Sequence, residues 1–91
     1  MDEAQLEANR EEALDKFYRA LEKFHLTHDP ETGRLSEPMI IVAYNRRKRV
    51  EVSRIMIFKK YFLIIRDEEW DTQRMMYENV KGFRPYSFTI E

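Results

Sequence analysis

Two short runs, Met39–Tyr44 and Tyr61–Ile65, are apolar at every position. Such a run is far below the ~20 residues a membrane span needs. It suits a strand buried on both faces, or one curled into a barrel. Between the two lies Val50–Phe58, in which the inward phase starts at Val50 and Val52 and then shifts to Ile55 and Ile57. Side chains alternate strictly along a strand, so a slip of one residue predicts a bulge or sharp bend at Ser53–Arg54.

The chain ahead of these strands has helical spacing. Leu14, Phe17, Tyr18, Leu21, Phe24 and His25 follow the i, i+3, i+4, i+7 template and form one apolar stripe. Asp2 with Gln5 resembles a capping box, and acids fill the first turns where the helix dipole favours them. Glu12–Lys16 and Asp15–Arg19 are i, i+4 pairs in the favourable order. The expectation is a helix over residues 2–26 whose first turns, with little to bury, project into solvent.

Residues 27–38 read as a connector. Asp29-Pro30-Glu31-Thr32-Gly33 has turn chemistry, and His25–His28 with Arg34–Ser36 offers a short hairpin. The small barrel is expected over residues 39–90. It has a basic turn at Arg46–Arg49, a tight turn at Lys59-Lys60 and an acidic loop at Asp67–Asp71 around Trp70. Thr72–Tyr77 reads as a strand or a turn of helix. The alternation of Tyr86, Phe88 and Ile90 with Ser87, Thr89 and Glu91 predicts the last strand. All 91 residues then make one domain, since a chain this short has room for a single core.

The net charge of −1 conceals segregation. Residues 1–37 hold ten acids and five bases, residues 38–66 one acid and eight bases, and residues 67–91 six acids and three bases. A basic middle between acidic ends can hold a polyanion or the chain's own acidic helix.

Signatures of enzymatic chemistry are sparse. Two glycines leave no P-loop, dinucleotide fingerprint or nucleophile elbow, and the absence of Cys removes thiolate ligands and disulfides. His25, His28 and Asp29 form H-x-x-H-D, which at a helix C-terminus more simply complements the dipole than binds zinc. Asp67, Glu68, Glu69 and Asp71 lack the alternate spacing and Gly of a calcium loop, so they read as a solvated acidic loop. No catalytic residue, metal or cofactor is therefore expected. With no basic n-region and apolar h-region at its start, the chain is expected to be soluble and cytoplasmic.

A helix, then five strands with a bent second strand and a short turn between the fourth and fifth, resembles the Sm-like and SH3-like small barrels. Tyr61-Phe62-Leu63 stands where WYL domains carry Trp-Tyr-Leu. Met76-Tyr77-Glu78-Asn79-Val80 stands where WYL domains and Hfq have an apolar strand ending in a short turn. The His of the Hfq motif is absent, and Gln73, Met75 and Met76 replace the arginines of the corresponding WYL strand. The resemblance covers roughly residues 38–90 and implies a mainly β fold: a five-stranded barrel behind an N-terminal helix. The runner-up is α+β, a helix, three strands and a second helix over Asp71–Val80, an order also seen in signal-recognition Alu proteins.

Of the functional signals, the basic set is the strongest. Arg46, Arg47, Lys48 and Arg49, with Arg54, Lys59, Lys60 and Tyr61, suit nucleic acid: the cations neutralise phosphates and the aromatic ring stacks on a base. The expected function is a non-enzymatic regulatory module that binds RNA, DNA or a nucleic-acid-processing machine. The competing class is a small protein-binding inhibitor or adaptor, of phage type for example, docking through its acidic helix and through Trp70, Tyr86 and Phe88. Free edges on the last two strands point to a homo-oligomer.

Overall fold

A computed structural model describes residues 2–44, 49–66 and 71–89, and of Phe88 and Thr89 the backbone only. Helix α1 spans Glu3–Lys23, and five strands follow: β1 Arg34–Ala43, β2 Arg49–Ile57, β3 Tyr61–Arg66, β4 Asp71–Met76 and β5 Val80–Pro85. They form one antiparallel sheet in the order β4-β3-β2-β1-β5. The chain is thus mainly β with an N-terminal helix. No helix among the described residues is long and apolar enough to cross a membrane.

Asp2 caps α1 as its sequence suggests, accepting the Gln5 N–H at 2.8 Å. The helix ends three residues earlier than its stripe predicts. Phe24 is the C-cap, and His25 takes the left-handed conformation with φ 58°. From there the His25 N–H donates to the Glu22 carbonyl at 3.3 Å and the Leu26 N–H to the Leu21 carbonyl at 2.8 Å, a Schellman closure with His where Gly is usual. Ala13, Phe17, Ala20 and Leu21 are the buried face, so the first two turns carry no buried residue.

The connector supplies part of the sheet. His28 bridges to Leu35, and the Ser36 N–H donates to the Thr27 carbonyl at 2.9 Å, so the short hairpin forms. Gly33, with φ 77°, turns the chain directly into β1, which therefore begins at Arg34 rather than Met39.

The phase slip in β2 falls where its two pairings overlap. Arg49–Val52 pair with β1, Ile55–Ile57 pair with β3, and Arg54 between them faces both Arg34 of β1 and Ile65 of β3. Val50, Val52 and Ile55 are buried, so the inward phase shifts between Val52 and Ile55 as the apolar pattern predicts. The opposing irregularity lies in β1, whose register to β2 breaks between Arg34 and Met39.

Two expectations are corrected. Asp71–Val80 is not a helix: it is β4 followed by a 3-10 turn, Tyr77–Asn79. The last strand is Val80–Pro85, and Tyr86–Thr89 is a second 3-10 turn, so Tyr86 and Phe88 are not strand residues. Pro85 has no N–H to extend the ladder, and its partner Met39 borders the irregular part of β1, where regular pairing ends. Ile90 and Glu91 lie outside the described residues.

The sheet is strongly curled. Flat, its outer strands would stand about 19 Å apart, four spacings of ~4.8 Å. Met76 ends one edge strand and Val80 begins the other, and four residue steps reach at most about 14 Å. Inside the curve, Met39, Ile41, Val52, Ile55, Phe62, Ile64 and Val80 are almost wholly excluded from water, with Phe17 of α1 packed among them.

Candidate nucleic-acid interface

The strand directions sort the basic set into separate places. β2 starts at Arg49 and ends beside the Lys59-Lys60 turn, so Arg49 is at one end of the sheet and Lys59, Lys60 and Tyr61 are at the other. Arg54 lies between them, half-buried, opposite Arg34 across the pair with β1. Arg46, Arg47 and Lys48 lie outside the described residues. The five described residues of the set, Arg49, Arg54, Lys59, Lys60 and Tyr61, are thus spread along the sheet rather than gathered at one end.

The Lys59-Lys60 end is engaged by the chain itself. Lys59 Nζ stands 3.8 Å from the Glu3 carboxylate at the acidic start of α1. Both side chains are exposed, so the pair is weak, but it places negative charge over that turn. Tyr61 packs against Phe58 at 5.6 Å between ring centroids, and the Arg74 guanidinium sits 5.2 Å over its ring. A cation–π contact of this kind covers one face of the ring.

The other end is different. β3 ends at Arg66 and β4 begins at Asp71, both at the end where β2 begins, because neighbouring strands run antiparallel. A cleft of about 320 Å³ opens here, lined by Arg49, Glu51, Arg66, Asp71, Gln73 and Tyr86 over the apolar floor of Ile40, Val50 and Ile64. Neither Arg49 nor Arg66 is ion-paired with a described carboxylate. Tyr86, on the rim of this cleft, is 42% exposed. The Asp67–Asp71 loop is described only at Asp71, and Trp70 and the Phe88 side chain lie outside the described residues.

Arg66, Glu51 and Gln73 escape a reading of motifs. Each sits alone in its segment, and they meet only through the register of β2, β3 and β4. The signal available in the sequence was that Arg66 closes an apolar strand, as Arg49 opens one.

The histidines serve the fold. His28 Nε2–H donates to the Ile55 carbonyl at 2.7 Å, and its ring meets Phe17 edge-on at 5.1 Å. No cluster of three or more His, Cys, Asp or Glu able to hold a metal occurs among the described residues. Asp29 Oδ1 accepts the Glu31 and Thr32 N–H groups at 2.9 and 3.4 Å, and these bonds hold its carboxyl below the ordinary aspartate value.

At the helix–sheet junction Tyr77 is buried and donates its hydroxyl hydrogen to the Phe58 carbonyl. Burial pushes the phenol above its usual value, partly offset by a hydrogen bond from Arg10. At this junction α1 packs on the 3-10 turn. Compared with known proteins, the chain matches no family model, no curated protein and no solved structure.

Proposed function

We propose that this chain is a non-enzymatic regulatory module, a small Sm-like barrel that takes single-stranded nucleic acid, alone or within a nucleic-acid-processing machine, at the Arg49–Arg66 end. The barrel reading rests on the helix-then-five-strands order, the curl of the sheet and the three-residue turn between β4 and β5. The functional reading rests on one observation: two arginines without described acidic partners share a cleft with an exposed tyrosine. Guanidinium groups take phosphates, a tyrosine ring stacks on a base, and Glu51, Asp71 and Gln73 offer hydrogen bonds to base edges. Arg46, Arg47 and Lys48 directly precede Arg49 in sequence and would add to the phosphate-binding charge.

The test is fluorescence anisotropy with mixed-sequence single-stranded RNA and with duplex DNA. Neutralising Arg49 and Arg66 together should weaken RNA binding and lower the log–log salt slope by about one unit per lost phosphate contact. Neutralising Lys59 and Lys60 should change it little. Absence of binding to either probe at ~50 mM salt, where non-specific contacts are strong, overturns the reading.

A second reading is a protein-docking adaptor. The observation in its favour is the outward face of α1, where Glu7, Glu11 and Glu22 are exposed along one side of the helix. That face suits a basic protein surface, and salt-sensitive capture of such a protein without nucleic acid would support it.

A further inference from the structure

The sheet has two edges, and their backbone groups are not equally available. At β5, the Tyr44 N–H donates to the Asn79 carbonyl at 2.8 Å, next to the Ala43–Val80 pair. Alternation along the strand therefore turns Val80 away from β1. Both of its groups are already used: the N–H donates to the Tyr77 carbonyl, and the carbonyl accepts Lys16 Nζ at 3.2 Å. Farther along, Pro85 brings no N–H, and α1 packs against this strand. The β5 edge is blunted.

At β4 the same alternation leaves the edge open. The Phe58 N–H donates to the Tyr61 carbonyl at 3.1 Å, and the register continues through Met56–Leu63 and Arg54–Ile65. The Ile55 N–H points the other way, to the Gly33 carbonyl at 2.8 Å. In β3, then, Tyr61, Leu63 and Ile65 bond to β2, while Phe62, Ile64 and Arg66 bond to Met75, Gln73 and Asp71 of β4. Thr72 and Arg74 consequently aim both N–H and carbonyl at the free edge, and β4 pairs with β3 alone among the described residues.

We infer that the occupant of this edge is a second copy of the chain, with β4 pairing antiparallel to β4 about a two-fold axis through Gln73. That register sets Thr72 opposite Arg74 of the partner subunit and satisfies the N–H and carbonyl of Thr72 and Arg74 in each copy. Centring on Arg74 would set two guanidinium groups face to face, which is unfavourable for a direct cross-strand pair. A head-to-tail arrangement needs the β5 edge and is opposed by Val80, Pro85 and α1. A two-fold contact also closes, leaving no open strand to propagate. Six residues of edge bury less than a standard interface, so the dimer is weak and concentration-dependent.

Sedimentation velocity on the intact chain, from about 10 µM to about 1 mM, reads the assembly directly. A monomer–dimer equilibrium is the expected result. Thr72→Lys places a cation opposite Arg74 of the partner subunit and should weaken the dimer several-fold, whereas Thr72→Glu should tighten it. Arg74→Pro deletes an edge N–H without touching the β3 ladder, so it should abolish the dimer and leave the circular dichroism spectrum unchanged. Amide exchange should slow with concentration at Thr72 and Arg74 but not at Phe83 of β5. A monomer throughout, a ring larger than a dimer, equal effects of the two Thr72 variants, or protection at Phe83 instead would each overturn the inference. None of these readouts depends on nucleic-acid binding.

Discussion

Phe62 of β3 and Phe83 of β5 meet edge-to-face with ring centroids 5.7 Å apart, although two strands stand between theirs in the sheet. Flat, those strands would be about 14 Å apart, three spacings of ~4.8 Å. The contact forms because the sheet is curled and turns β3 and β5 toward one core. Phe17 of α1 fills the space between, 5.8 Å from Phe62 and 5.2 Å from Phe83. A single helix residue thus joins both halves of the curl.

Phe17→Ala should therefore be severe. The side chain is fully buried and touches rings from α1, the connector, β3 and β5. Removal of a core Phe costs about 3–5 kcal/mol, a large share of the 5–15 kcal/mol typical of a domain. Urea denaturation followed by far-ultraviolet circular dichroism measures the loss. A variant within 1 kcal/mol or so of the parent, far below that range, would mean that α1 is dispensable for the strands.

His25→Gly should stabilise. His25 holds φ 58° at the end of α1, a conformation that costs a side-chain-bearing residue roughly 1–2 kcal/mol and glycine almost nothing. Greater freedom of glycine in the unfolded chain offsets part of this, so a net gain of about 0.5–1 kcal/mol is expected. Thermal unfolding decides it. A lower melting temperature would mean that the His25 side chain has a stabilising contact outweighing the backbone strain.

Gly33 responds in the opposite sense. A Cβ there would lie 2.6 Å from Met56 Sδ and 2.8 Å from the Ile55 carbonyl oxygen, at φ +77°. The methionine can move, but the carbonyl belongs to β2 and also accepts from His28. Gly33→Ala should cost about 1–3 kcal/mol, and adding Met56→Ala should recover only part of it. Full recovery in the double variant would place the whole clash on the Met56 side chain.

How much of this was legible in the sequence depends on where the information sits. The helix, the phase slip in Val50–Phe58 and β3 at Tyr61–Arg66 follow from local apolar period, because each buries its own stripe. The last strand did not, because Tyr86, Phe88 and Ile90 alternate as well as any strand. Gly82 and Pro85 make Val80–Pro85 look like a loop, yet β1 offers it a partner through Arg84 and Phe83. The basic set misled in a similar way. Proximity along the chain grouped Arg49 with Lys59 and Lys60, while antiparallel register separates them and brings Arg49 to Arg66.

Alkaline stability should depend on Tyr77. Its phenol titrates above the usual value of 10.0 in the fold, chiefly because it is buried. Below pH 10 both states hold the proton and stability is unaffected. As pH rises past the unfolded value, the unfolded chain loses the proton first and is favoured, so stability falls until the folded phenol ionises too. Tyr77→Phe removes the hydrogen bonds to Phe58 and Arg10, at about 1–2 kcal/mol near neutrality, and should flatten the decline above pH 10. Melting temperatures from pH 7 to 11 for both proteins test it. Parallel curves would assign the alkaline transition to another group.

The exposed ring in the cleft allows stacking to be separated from charge. Tyr86 is part of a 3-10 turn at the end of the described chain, so Tyr86→Ala should leave the core intact. If a base stacks on it, the substitution should weaken single-stranded RNA by ~1–3 kcal/mol, leave the salt slope unchanged, and spare duplex DNA, whose bases are not available to stack. Tyr86→Phe should retain nearly all affinity, because the face of the ring and not the hydroxyl carries the contact. Neutralising Arg49 and Arg66 should do the reverse, lowering the slope for both probes. Equal loss for Tyr86→Ala and Tyr86→Phe would mean that the hydroxyl, not the ring, makes the contact, and the stacking element of the cleft would fall while its phosphate contacts stood.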